Sequence, residues 1–189
     1  WSPNFYRENF NRNAISRALT ECSSDDLIII SDADEIPNLE ILNNIKIKRF
    51  AIFNQKEFIY KLNLLSDQNW NGSAICYKKY LKSPQWLRDR KFTRRGFLRK
   101  FFFKTQFLEN GGWHFSFLKT PEEIQKKIKQ YAHAEFNMEK YTDLERIKNS
   151  IKKKIDLFDR HLNFQRIEIN NNFPRFIVEN KELYKDWII

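Results

Sequence analysis

Three carboxylates stand within four positions, at Asp32, Asp34 and Glu35, directly behind the apolar run Leu27, Ile28, Ile29 and Ile30. Packed carboxylates repel one another, and a divalent cation with oxygen ligands relieves that repulsion economically. The competing reading is a solvated acidic turn closed by Pro37. His114, in the stretch "GGWHFS", could complete an aspartate site for a first-row metal such as Mn²⁺. Two glycines ahead of it let backbone or ligand approach closely, and Trp113 offers a face on which a planar or sugar ring can stack. The ordinary alternative for a lone histidine in an apolar strand is a satisfied core residue. His133, near Glu135, and His161 have less suggestive surroundings. A second chemical feature is the run "RDRKFTRRGFLRK", residues 88 to 100, with seven cations among thirteen residues and Phe92, Phe97 and Leu98 between them. Its arginines suit phosphate, because a guanidinium fork can bind two oxygens at once. A solvated face is the plain alternative.

These residues need elements to hold them. Leu27 to Ile30 have the composition of a strand buried on both faces, so the carboxylates fall at its carboxyl end, where open α/β sheets bind ligands. Residues 8 to 21 predict a helix with Phe10, Ala14, Ile15 and Ala18 on one face. "NLEILNNI" predicts a short helix, and "EFIYKLNLL" and "GSAICYKKYL" predict two strands joined by the polar turn "SDQNWNG". Trp113 to Leu118 has strand composition. Thr120, Pro121 and Glu123 then form a capping box at the start of a helix whose buried face carries Ile124, Ile128, Tyr131 and Ala132. "TDLERIKNSIKKKIDLF" is a further amphipathic helix. The expected organisation is one α/β domain over residues 1–162, with a polar tail over 163–189 packed on it or extending from it.

Composition bounds the functional classes. A chain of 189 residues with 41% hydrophobic and 16% aromatic content folds around a real core. No window approaches 18 uninterrupted apolar residues, so no membrane span is expected, nor is a cleavable leader. The start at Trp-Ser-Pro predicts a segment of something longer. Cys22 and Cys76 give no disulfide framework, which favours buried thiols and a reducing compartment. A net charge of +10 points to an anionic partner without choosing among nucleic acid, lipid headgroups and nucleotide diphosphates.

Taken together, the chain resembles glycosyltransferase family 17, the family that adds a bisecting N-acetylglucosamine to the core mannose of N-glycans. Four blocks carry the resemblance in order. "YRENFNRNAI" resembles the family's Arg-Glu…Gln-Arg block, with Asn11 beside Arg12. "DDLIIISDADEIP" is similar to its aspartate motif nearly residue for residue. "PQWLRDRK" resembles a Leu-Arg-x-x-Arg segment with altered arginine spacing, and "GGWHFSFLKTPEEIQKKIKQYAHAEF" resembles the Gly-Trp-His-Phe-Ser block and its helix.

The resemblance implies a GT-A-like α/β fold, a Rossmann-like mixed sheet flanked by helices, here without its first nucleotide-binding strand. It implies inverting transfer from a nucleotide-sugar donor, UDP-N-acetylglucosamine, to a glycan hydroxyl, with Mn²⁺ or Mg²⁺ as cofactor. Carried onto this sequence, Asp34 contacts the metal directly, Asp32 serves the ribose or a metal-bound water, and His114 is a further metal or diphosphate contact. Trp113 becomes a sugar platform and Arg88 with Arg90 phosphate clamps; Arg7, Glu8, Arg12 and Glu35 join the substrate-binding set. Glu109 is the candidate base that takes the acceptor proton, with Glu35 and Asp89 as rivals.

The abundance of Asn, Ile and Lys points to an AT-rich genome, bacterial or viral, and to a cytoplasmic enzyme; an animal-type homologue would sit in the Golgi lumen. Two other classes compete. A haloacid-dehalogenase-type phosphatase also sets Asp-x-Asp behind a buried strand, but Glu35-Ile36 stands where it needs a small hydroxyl residue. A basic nucleic-acid-binding module accounts for Phe92, Phe97 and Phe101 to Phe103 among the cations and leaves "SDADEIP" unexplained; nucleic acid is therefore not expected as a partner.

Overall fold

A computed structural model describes residues 3–92, 105–130 and 137–189. Most of the basic run, from residue 93 on, and the expectations for Tyr131, Ala132, His133 and Glu135 lie outside the described residues. The fold is mixed α/β. Helix α1 (Pro3–Ala14) leads through a 3₁₀ segment (Ile15–Leu19) to strand β1 (Leu27–Ile30), followed by β2 (Glu35–Pro37), β3 (Phe50–Ile59) and β4 (Leu64–Tyr77). Helix α2 (Pro84–Arg88), strands β5 (Gln106–Leu108) and β6 (Gly112–Ser116), helices α3 (Pro121–Lys129), α4 (Glu139–Thr142) and α5 (Leu144–Lys153), strand β7 (Phe164–Arg166) and helix α6 (Arg175–Glu179) follow, with further 3₁₀ segments at Leu39–Asn43, Lys78–Tyr80, Asp89–Phe92 and Lys181–Trp187. The sheet runs β1-β4-β3-β6-β2, with β5 added to β3 and β7 to β4. β1 lies antiparallel to β4 and β2 antiparallel to β6, whereas β5 is parallel to β3. The chain divides into two compact units: Phe10–Lys56 with Asn69–His114, and Trp1–Asn9 with Glu57–Gln68 and Phe115–Ile189.

In the first of these units the strands are covered on both faces. Ile28, Ile30, Ile52, Ala74 and Cys76 face one cluster, which Leu87 of α2 joins; Ala51, Phe53, Ile75 and Leu108 face the other. β1 itself is only partly enclosed, against the expectation of burial on both faces: Ile28 and Ile30 are buried on one face, Ile29 is half-buried on the other, and Leu27 is exposed. Cys22 and Cys76 are both free thiols, and burial pushes that of Cys76 up to about 11.

The second unit packs Ile124 and Ile128 of α3 and Ile147 of α5 against Ile59, Leu64, Leu157 and Phe158. The predicted capping box is present: Thr120 accepts from Glu123 N, and Glu123 accepts from Thr120 N. The strand prediction needs one correction here. The chain reverses at residues 60–63, not at "SDQNWNG", which runs inside β4. Tyr60 takes a left-handed φ of 64° without being glycine, asparagine or aspartate, so no turn-type residue announces it. Its buried hydroxyl is what holds it there, donating to Ile155 O at 3.3 Å and accepting from Leu157 N at 3.2 Å. The tail is structured as well. Asn63 accepts from Ile189 N and donates to Ile167 O and Ile189 O, and Ile169, Phe173 and Ile177 are buried.

Candidate active site

The site is built where β1 ends. After Ile30 the chain turns back into β2, with Glu35 N bonded to Asp32 O and Asp32 N to the Glu35 carboxylate, both at 3.1 Å. Glu35 points inward, its side chain 1% exposed. It accepts from Arg88 Nη1 at 2.9 Å and Nη2 at 2.7 Å, from Trp70 Nε1 at 2.8 Å and from Ser73 Oγ at 3.3 Å. Arg88 is equally buried; its Nη2 also donates to Asp32 Oδ2 at 2.7 Å and its Nη1 to Gly72 O at 2.5 Å. Arg12 of α1 reaches the other oxygen of Asp32 at 2.9 Å and donates to Gln85 of α2. Two of the three carboxylates are thus matched by arginines of the chain itself, in the fork geometry that suits carboxylate.

Asp34 stands apart. Its side chain is 34% exposed and lies 3.7 Å from His114 Nε2. His114 is buried opposite Glu35 in the β2–β6 register, and the Trp70 ring stacks on its imidazole at 4.5 Å and 18°. Trp70 therefore touches both Glu35 and His114. The approach of β6 to β2 depends on Gly112, whose φ is +122° and where a Cβ would meet Ile36 O at 2.1 Å. Among the described residues no group of three His, Cys, Asp or Glu side chains is gathered for a metal. Asp34 and His114 nevertheless fit a cation that takes one or two protein ligands and completes its shell with substrate phosphates and water, the usual arrangement for Mg²⁺-type ions.

The glycosyltransferase family 17 model matches residues 2–185. The chain belongs to glycosyltransferase family 17. No curated protein and no solved structure matches it at a significant level. As a family 17 glycosyltransferase it works on a nucleotide-sugar donor and a glycan acceptor. Among the described residues no helix is long and apolar enough to cross a membrane.

For this family 17 chain the remaining sequence candidates fall in several places. Trp113 is half-buried, opposite Ile36 in the ladder. Glu109 is exposed on the loop after β5, where Asn54 Nδ2 donates to it at 2.6 Å. It precedes Gly112, which pairs with Pro37 at the end of β2 farther from the Asp34 turn. Asp89 is exposed and accepts from Gln85 Nε2 at 2.8 Å. Arg88, expected as a phosphate clamp, is buried against Asp32 and Glu35, and Glu35, expected at substrate, is enclosed with it. Arg90 stands over the Trp86 ring at 4.3 Å. Arg7 and Glu8 belong to the other compact unit, Arg7 exposed and Glu8 half-buried. The sequence reading did not single out Trp70, Ser73 or Gln85. Trp70 was hidden inside a stretch that reads as a polar turn; a tryptophan among "QNWNG" was the available signal, since a large ring there must find cover.

Proposed function

We propose that the chain transfers N-acetylglucosamine from UDP-N-acetylglucosamine to a glycan hydroxyl, with inversion at the anomeric carbon. One observation supports this best. Asp32 and Glu35 are matched by Arg12 and Arg88, while Asp34 stands partly exposed beside His114. The arginines hold Asp32 and Glu35 still, and a carboxylate with an imidazole beside it supports reading Asp34 and His114 as a cation site. Asp34 and His114 are the residues that would hold the ion, Mn²⁺ or in its place Mg²⁺. Bound there with the donor, it would offset the negative charge that grows as the nucleotide leaves.

The chain's own residues do the rest. Asp32, oriented by two guanidiniums, is the residue we assign to the donor ribose. Arg88 is assigned to positioning Asp32 and Glu35 instead of binding diphosphate. Trp113 offers its face to a sugar ring, and Glu109 takes the acceptor proton. Calorimetric titration of UDP-N-acetylglucosamine with and without Mn²⁺ tests the reading. Binding that requires Mn²⁺ and is lost in Asp34→Ala is expected. Equal binding in the absence of metal, or wild-type affinity in Asp34→Ala, would overturn it.

A further inference from the structure

The unit that carries the carboxylate site also carries a face on which cations stand over aromatic rings. Arg49 lies over Tyr80 at 5.1 Å, Lys82 over Trp86 at 5.7 Å, and Arg90 over Trp86 at 4.3 Å and Phe50 at 5.4 Å. Lys79 lies over Tyr77 and Tyr80 at 5.4 and 5.7 Å. The rings meet edge to face, Phe50 with Trp86 and Tyr77 with Tyr80. Lys46 and Lys48, exposed just before Arg49, add to the same positive segment.

The contrast with the other unit decides how to read this face. There, several cations are answered by carboxylates: Lys140 and Arg146 by Asp159, Lys148 by Glu145, Arg160 by Asp156 and Arg175 by Glu179. Here Lys79 bonds to Asp25, but exposed Arg49 and Lys82 pair with no carboxylate among the described residues. A ring beneath a cation limits its wandering without cancelling its charge, so less freedom is lost when an anion arrives. A stacked guanidinium also keeps its in-plane N–H edge, the edge that matches carboxylate or phosphate. The half-buried rings of Tyr77, Tyr80 and Trp86 supply apolar surface beside those charges. Trp86 sits on α2, the helix whose Arg88 holds Asp32 and Glu35 and whose Gln85 meets Arg12. One short helix therefore serves both the carboxylate site and the cationic face.

We propose that this face docks the acceptor and that the acceptor is an anionic glycan bearing carboxylate or phosphate groups; the proposal rests on the transferase reading above for the acceptor's being a sugar chain. A saccharide needs both the charges and the apolar ring edges, which a phosphate site alone would not use.

The test is titration of the full chain with four probes: an oligogalacturonate, its neutral methyl ester, a phosphorylated mannan oligosaccharide and a single-stranded oligonucleotide. At least one acidic glycan is expected to bind, with affinity that falls as salt is raised; which one binds separates a carboxylate from a phosphate preference. The methyl ester should bind at least tenfold more weakly than an oligogalacturonate that binds. The double variant Arg49→Ala, Lys82→Ala should lose at least tenfold for the acidic glycan while UDP-N-acetylglucosamine binding holds, and Arg49→Lys should keep only part of the affinity, since an ammonium lacks the planar N–H edge.

Equal binding of ester and acid, or wild-type glycan affinity in the double variant, would overturn the proposal. So would binding of the oligonucleotide alone, which would make the face a nucleic-acid surface. Acidic-glycan binding by a wild-type chain that takes no UDP-N-acetylglucosamine, with or without Mn²⁺, would sink the donor reading and leave this one standing.

Discussion

Arg88 carries the heaviest electrostatic load of any residue in the site, since one buried guanidinium is shared between Asp32, Glu35 and the Gly72 carbonyl. Removing one member of a buried ion pair strands the other charge, at a cost of about 3–5 kcal/mol. Arg88→Met is therefore expected to lower the unfolding free energy by about that amount in urea denaturation; a loss under about 1 kcal/mol would mean that Glu35 finds another partner or gives up its charge. Trp70→Phe is a finer probe, because phenylalanine keeps a ring on His114 while it deletes the N–H bond to Glu35. A hydrogen bond to a charged group contributes about 1.5–3 kcal/mol, and a loss in that range is expected from the same measurement. For Glu109, replacement by glutamine should lower kcat about 10²–10⁴-fold with donor affinity unchanged, and an unchanged kcat would remove it as the base. Side-chain type and spacing located Asp32, Asp34 and His114 in the sequence. They could not say which charges face each other, because Arg88 lies 53 residues from Glu35 and only the folded sheet brings the two together.

At the scale of elements, local signals were legible where one residue type does one job. The capping box of α3 is such a case, with Thr120, Pro121 and Glu123 each performing the role its chemistry allows. Thr120→Ala should cost about 1 kcal/mol in thermal or urea unfolding. The reciprocal bond adds a pH dependence. The Glu123 carboxyl is held below its ordinary range, chiefly by the backbone N–H of Thr120. A carboxyl depressed in the folded state contributes stability above its unfolded pKa and loses it as pH falls through the folded value. The stability gap between wild type and Glu123→Gln should therefore be constant above about pH 5 and close as the pH drops below about 4. A gap that widened in acid would contradict the depressed pKa. The strand Leu27–Ile30 was readable as a strand from its apolar, β-branched run, but its burial is one-sided: Ile28 and Ile30 are buried, Ile29 is half-buried and Leu27 is exposed. The β3–β4 reversal was not readable. It rests on Tyr60, whose backbone is held by a hydroxyl bonded to Ile155 and Leu157, and no local pattern encodes contacts nearly a hundred residues away. The same reason hid the order of the polar-looking tail, which is tied down through Asn63.

For the whole molecule, charge and ligand binding must be told apart, because a chain with net charge +10 attracts any anion. A nucleotide diphosphate could raise the melting temperature by diffuse attraction alone, without a built site. Salt separates the two cases, since at about 0.5 M the screening length shrinks to a few ångströms while directly coordinated contacts persist. Binding to the folded state alone stabilises by about 2.7 kcal/mol at a hundred times Kd. At about 2–4 °C per kcal/mol for a chain of this size, that becomes a rise of about 5–11 °C. UDP-N-acetylglucosamine with Mn²⁺ is expected to produce this rise and to keep most of it in high salt, whereas the nucleotide sugar alone should lose whatever shift it gives. Asp34→Ala should behave with Mn²⁺ as wild type does without it, because Asp34 is the carboxylate that lies beside His114. A metal-dependent rise that survived Asp34→Ala would move the ion to another part of the molecule, and one that vanished in salt for the wild type would reduce the donor's attachment to its charge.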